Sequence, residues 1–100
     1  MLDRGVPIDA ADNKGWTALM QASSEGQTDM ISLLLRNGAS INKQRPDGTA
    51  ALALACEFGH VNAARTLIAG GAEIDMKDAQ GNTPLMLAAL KGHASVVHVL

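Results

Sequence analysis

The chain of 100 residues has no tyrosine, one tryptophan, one phenylalanine and one cysteine. So few aromatics exclude a core built on large rings, although 47% of the residues are apolar. Ala and Leu carry the burden instead, which favours closely packed helices over a β-sandwich. Cys56 stands alone, so no internal disulfide can form, and an intracellular compartment, cytoplasmic or nuclear, fits best. A basic excess is missing as well. Eight Lys and Arg, scattered along a chain of formal net charge −2, make no patch of the kind that neutralises phosphates, which argues against nucleic acid. No apolar run approaches the roughly 20 residues that span a bilayer, so membrane insertion is not expected. Met1-Leu2-Asp3-Arg4-Gly5 lacks the basic and apolar regions of a signal peptide. High apolar content with low net charge excludes disorder.

What is present is a repeat. Gly15, Gly48 and Gly81 are spaced by 33 residues, and the same spacing links Leu19, Leu52 and Leu85. It also links Ala22, Ala55 and Ala88, then Gly26, Gly59 and Gly92, then Leu34, Leu67 and Leu100. Gly5, Gly38 and Gly71 follow the same register, as do Ile8, Ile41 and Ile74 with Asp9, Asn42 and Asp75 beside them. A self-similarity of this period is the signature of a stacked array.

Each unit has a physical reading. Asp78-Ala79-Gln80-Gly81 is turn chemistry, the glycine supplying positive φ. Thr83-Pro84 reads as a helix start, Thr as N-cap and Pro at the first helical position. A first helix runs from Leu85 to about Lys91 and ends at Gly92, and a second carries Val96, Val97, Val99 and Leu100 on its apolar side. In the complete copies the second helix stops at Asn37-Gly38 and Gly70-Gly71, as a left-handed C-cap requires. The small residues Ala22-Ser23, Ala55-Cys56 and Ala88-Ala89 let neighbouring first helices approach closely. Short inner and bulkier outer helices are expected to curve the stack. Cys56, in the alanine column, reads as a small core residue rather than a reactive thiol.

These stretches resemble the ankyrin-repeat family, whose period is 33 with a turn, two helices and a T-P-L-H-x-A signature. The matching segments are Thr17-Ala18-Leu19-Met20-Gln21-Ala22, Ala50-Ala51-Leu52-Ala53-Leu54-Ala55 and Thr83-Pro84-Leu85-Met86-Leu87-Ala88. Gly59-His60 and Gly92-His93 match its Gly-His pair, and Gly26-Gln27 departs from it. Gly38-Ala39-Ser40-Ile41-Asn42 matches its Gly-Ala-x-x-Asn ending. The resemblance implies an all-α solenoid of paired antiparallel helices joined by β-hairpin-like loops, covering residues 1–100. Residues 1–14 are then the end of a preceding repeat and its hairpin, 15–47 and 48–80 are repeats, and 81–100 an incomplete one. Met1-Leu2 and Leu100 align within second helices, and neither end carries a polar capping repeat. A segment of a longer array is therefore expected, with adjacent repeats of the parent chain as neighbours and apolar surface exposed at both ends. The signature His is replaced by Met20, Ala53 and Met86. Ala50 replaces the capping Thr, a loss of about 1 kcal/mol, which Thr49 is expected to offset in part.

The resemblance also implies a partner-binding surface, at hairpin tips and on the exposed side of the first helices. Carried over by register, it comprises Asn13, Lys14, Trp16, Ser24 and Glu25 in the first unit. Pro46, Asp47, Thr49, Glu57 and Phe58 supply the second, and Ala79, Gln80, Asn82, Leu90 and Lys91 the third. Both aromatics fall on it, and aromatic anchors often carry much of an interface's binding energy. The competing reading is that Trp16 packs on the neighbouring hairpin and Phe58 covers the adjacent repeat. Some family members are hydroxylated on the hairpin Asn, which makes Asn42 a candidate for modification. His60 and His93 lie one helix spacing of about 10 Å apart, too far to converge on one metal ion, so a structural role in the Gly-His turn is expected.

No nucleophile–base pair, metal cluster or phosphate loop stands in the chain. The expectation is a non-enzymatic module that needs no cofactor and binds another protein, a scaffold or adaptor within a larger intracellular protein. The alternative is an architectural spacer, or a regulatory or substrate-docking array of a larger enzyme or channel.

Overall fold

A computed structural model describes residues 7–100. Six helices follow in order: α1 (Ala18–Glu25), α2 (Thr28–Arg36), α3 (Ala51–Glu57), α4 (Val61–Ala69), α5 (Pro84–Leu90) and α6 (Ala94–Val99). Among the described residues there is no strand, and no helix is long and apolar enough to cross a membrane. The helices form two layers. α1, α3 and α5 pack side by side in one, α2, α4 and α6 in the other, and each pair packs within itself.

The starts of the first helices follow their caps. Thr17 accepts the Met20 amide on Oγ1 at 3.2 Å, and Thr83 accepts that of Met86 at 3.3 Å with Pro84 behind it. α3 begins in the same register at Ala51, but Ala50 has no side chain able to cap it. Thr49 does not take over, contrary to the sequence expectation. It is buried, and its amide donates to Asp47 Oδ1 at 3.0 Å, which turns it toward the hairpin and away from the helix. Every first helix ends where a glycine enters the left-handed region: Gly26 at φ 71, Gly59 at φ 75 and Gly92 at φ 77. The next amide then bonds back to the alanine column, Gln27 to Ala22, His60 to Ala55 and His93 to Ala88, at 2.9 Å each.

Between the layers lies one core of Leu19, Ala22, Ile31, Leu34, Leu52, Ala55, Ala63, Ala64, Leu67, Ala88 and Val96, with Cys56 among them. Ala22, Ala55 and Ala88 are buried, as are Ser23 and Cys56 next to them, and the first helices pack side by side, whereas Ala89 of the third unit is exposed. Ser23 is fully buried and spends its hydroxyl on the Leu19 carbonyl at 2.7 Å. Burial pushes the Cys56 thiol up to about 12, which keeps it protonated and unreactive at neutral pH.

The third unit differs from the expectation in one respect. Of the four apolar residues assigned to its second helix only Val96 is fully buried, and Val97 is exposed. Leu85 and Met86 are also exposed, at 45% and 50%, whereas Leu19, Met20, Leu52 and Ala53 in the same register are all buried. In the first two units the first helix packs against that of the following unit, α1 on α3 and α3 on α5, whereas among the described residues α5 has such a neighbour on one side. Apolar exposure is thus found at this side of the stack; Met1 and Leu2, expected to expose the other, lie outside the described residues.

The missing cap yields a direct prediction. Ala50→Thr places a capping hydroxyl where Thr17 and Thr83 already carry one, and should raise unfolding free energy by about 1 kcal/mol in urea denaturation. No gain would mean that the α3 start is limited by something other than the cap.

Candidate functional site

The hairpin tips are built on a shared plan with one departure. In the first, Asp12 Oδ1 accepts the amides of Lys14 and Trp16 at 2.9 Å, and the Asp12 amide donates to the Trp16 carbonyl. In the third, Asp78 Oδ1 accepts those of Gln80 and Asn82 at the same distance. The amides of Trp16 and Lys14 hold the Asp12 carboxyl below its ordinary range. The second hairpin has Arg45 at this position, which offers no acceptor. Asp47 replaces it from two residues further on, taking the Thr49 amide.

Arg45 is thereby free for another task. Its guanidinium donates to both oxygens of Asp47, at 2.7 Å and 3.3 Å, and lies over the Trp16 ring, 4.8 Å from the centroid. A cation on an indole face contributes about 1 kcal/mol when partly exposed. The ion pair adds little more, because the Asp47 side chain is 57% exposed. For the Asp47 carboxyl, burial acts upward, but the bonds from Arg45 and Thr49 together outweigh it and leave the group below its ordinary value.

This cluster stands where a backbone bond is missing. Between the second and third hairpins, the Ala79 amide donates to the Asp47 carbonyl at 2.8 Å. The residue in that register one unit earlier is Pro46, which has no N–H to give. The Trp16–Arg45 stack links the first two hairpins in its stead. Gly15 and Gly48 make these contacts possible, since a Cβ on either would meet Pro46 or Ala79 at under 3 Å.

The register places the expected surface residues as follows. Asn13, Lys14, Glu25, Pro46, Asp47, Ala79, Gln80 and Lys91 are exposed, and Glu25 accepts a bond from Gln21 at 2.6 Å. Trp16, Ser24, Glu57 and Asn82 are half-buried. Thr49, expected on the accessible face, is buried at 6% and leaves the candidate surface. Phe58 is 51% and Leu90 74% exposed. Phe58 caps the end of α3 and so has a unit on either side of it, yet half of it stays open to solvent. The half-buried Trp16 meets the neighbouring hairpin through Arg45, a residue that sequence reasoning missed. Its signal was the break in the column Asp12, Arg45, Asp78.

The two histidines have a shared geometry. His60 Nε2 bonds the Ser24 carbonyl at 2.9 Å, and His93 Nε2 bonds that of Glu57 at 2.8 Å. Each ring lies against the glycine of the unit before, so that a Cβ on Gly26 or Gly59 would meet it at 2.6 or 2.7 Å. They are clasps between units. Asn42, half-buried, accepts the Glu73 amide at 2.9 Å, and Asp9 accepts the Ser40 amide one unit earlier at 2.8 Å.

Trp16, the sole tryptophan, reports on the Arg45 cluster. Arg45→Ala should cost about 1 kcal/mol of stability and shift the Trp16 emission toward that of exposed indole. Acid should weaken the same cluster: the contribution of Asp47 is complete above about pH 4 and is lost as pH falls through its lowered value. Unchanged emission in the variant would show that Arg45 does not hold the ring.

Comparison with known proteins agrees with this architecture. A family model described as ankyrin repeats, in three copies, matches residues 1–45 and 37–100. Over 41 residues the chain is 44% identical to the potassium channel AKT2/3 of Arabidopsis thaliana, which covers 41% of this chain and 5% of the channel. Over 40 residues it is 42% identical to BCL-6 corepressor-like protein 1 of Mus musculus, and equally to that of Homo sapiens, 40% of this chain and 2% of each relative. The chain thus spans a twentieth or less of the length of these relatives. Ankyrin repeats are in general non-catalytic modules for protein–protein interaction. With a matching family model over its whole length and the 33-residue stack of helix pairs, this chain belongs to the ankyrin-repeat family.

Proposed function

We propose that this chain is the protein-binding array of a larger intracellular protein, acting as a scaffold or adaptor, with Phe58 and Leu90 as its apolar anchors. The units 15–47, 48–80 and 81–100, with 1–14 preceding them, form its repeats. The observation that supports the reading is the exposure of Phe58 in the interior of the stack, beside the still more exposed Leu90 at the end of α5. Large apolar side chains left open between polar neighbours are what interface centres use. In the register Glu25 and Lys91 fall in the column of Phe58, and Glu57 in that of Leu90, so charged side chains neighbour both anchors.

The Trp16–Arg45–Asp47 cluster belongs to this surface as a wall. Its aromatic face is already occupied, so Trp16 contributes shape and rigidity, and the anchor role passes to Phe58 and Leu90. The relatives, a channel and a corepressor-like protein each far longer than this chain, fit an array that serves a larger molecule.

Affinity enrichment from cells that express the parent protein tests the reading. Phe58→Ala and Leu90→Ala should each reduce partner recovery by about tenfold or more, while Arg36→Ala on the second-helix layer leaves it unchanged. Retention of every partner by both anchor variants, with folding intact, would move the binding surface elsewhere or favour a spacer role.

A further inference from the structure

The second-helix layer carries a groove that no part of the proposed protein-binding surface uses. It lies between α4 and α6, has a volume of about 530 Å³, and is lined by Val61, Asn62, Arg65, Ala94, Ser95 and His98. Asn62 and Arg65 sit three residues apart on one face of α4, and Ser95 and His98 occupy the same register positions on α6. Four hydrogen-bonding side chains thus line one open groove from two helices, with Val61 and Ala94 as the apolar part of the lining. No Asp or Glu lines it. Among the described residues the one ion pair joins Arg45 to Asp47, so Arg65 has no carboxylate partner there.

The unit before provides an internal contrast. Its register positions for Asn62 and Arg65 hold Asp29 and Ser32, an acidic residue and a hydroxyl in place of an amide and a guanidinium.

We propose that this groove binds a phosphomonoester presented by a protein partner. A guanidinium takes two oxygens of such a group in its planar fork. Ser95, Asn62 and His98 line the same groove and carry N–H or O–H groups that can donate to the remaining oxygen. A carboxylate has only two oxygens and leaves one wall unused. The open shape and the apolar part of the lining fit a phosphorylated side chain on a peptide. A nucleotide base would find no aromatic platform, since neither Trp16 nor Phe58 lines the groove. The site lies apart from the Phe58 and Leu90 surface and stands or falls independently of it.

The test is a ¹⁵N-edited NMR titration of the 100-residue chain at low salt with three blocked pentapeptides. They carry phosphoserine, serine or glutamate between two alanines on each side. The phosphoserine peptide should give saturable shifts centred on Asn62, Arg65, Ser95 and His98, and the other two should not. Arg65→Gln should weaken binding about tenfold, the loss of one charged hydrogen-bonding group. Asn62→Asp, which copies the acidic residue of the first unit at an exposed position, should abolish it with the fold unchanged. The proposal is overturned by absent shifts at these residues, by equal binding of the glutamate peptide, or by shifts spread over Lys43, Lys77 and Lys91. Binding that survives both substitutions overturns it as well.

Discussion

Everything in this molecule depends on one unit closing over the glycine of the unit before it. Helices of six to nine residues are too short to persist alone, so none of the helix pairs has an independent reason to exist. Each acquires one when its neighbour seals the alanine column and a histidine ring settles on the preceding glycine. The bond from that ring to a backbone carbonyl satisfies the end of a first helix that would otherwise be left to water. Stability then accumulates unit by unit along the stack, as expected of a quasi-one-dimensional array.

The second unit shows how much local variation such a plan absorbs. It lacks the capping threonine, the hairpin aspartate and a hairpin amide that can bond its predecessor. Asp47 takes over the acceptor role, and Arg45, released from it, seals the gap left by Pro46 against the Trp16 ring. The absent cap on α3 is not replaced. That helix is nevertheless the most enclosed of the six, with Ala51 through Cys56 all buried, because it has units on both sides. Burial there outweighs a missing cap. The same enclosure explains why Cys56 is inert and why Phe58, open in so covered a place, is notable.

The fold was legible because a 33-residue period of Gly, Leu and Ala states both where helices stop and which faces they bury. Glycine permits the positive φ found at Gly15, Gly48 and Gly81 and at Gly26, Gly59 and Gly92, although Gly70 at the end of α4 keeps φ −82. Phe58 and Leu90 were legible as departures from that period. What lay beyond reach was contact between units. The Arg45–Trp16 stack joins residues whose separation is no multiple of the period, and its geometry exists only once two hairpins are side by side. The acceptors for His60 and His93 are backbone carbonyls, which leave no mark in a sequence. Thr49 reads as exposed or as a cap from its neighbours, and is neither: it is buried, and its amide bonds Asp47 of the hairpin.

The clasp can be isolated from the intrinsic strain of its glycine. Gly26 and Gly92 share nearly the same backbone, φ 71 and φ 77, but a Cβ at Gly26 meets the His60 ring at 2.6 Å and one at Gly92 meets nothing within 4 Å. Both alanine variants bear the common cost of a left-handed non-glycine residue, about 1 kcal/mol or more. The decisive measurement is the difference between Gly26→Ala and Gly92→Ala in urea unfolding. The account predicts that Gly26→Ala loses about 1 kcal/mol more, through the displaced ring and its bond to Ser24; equal losses would contradict it.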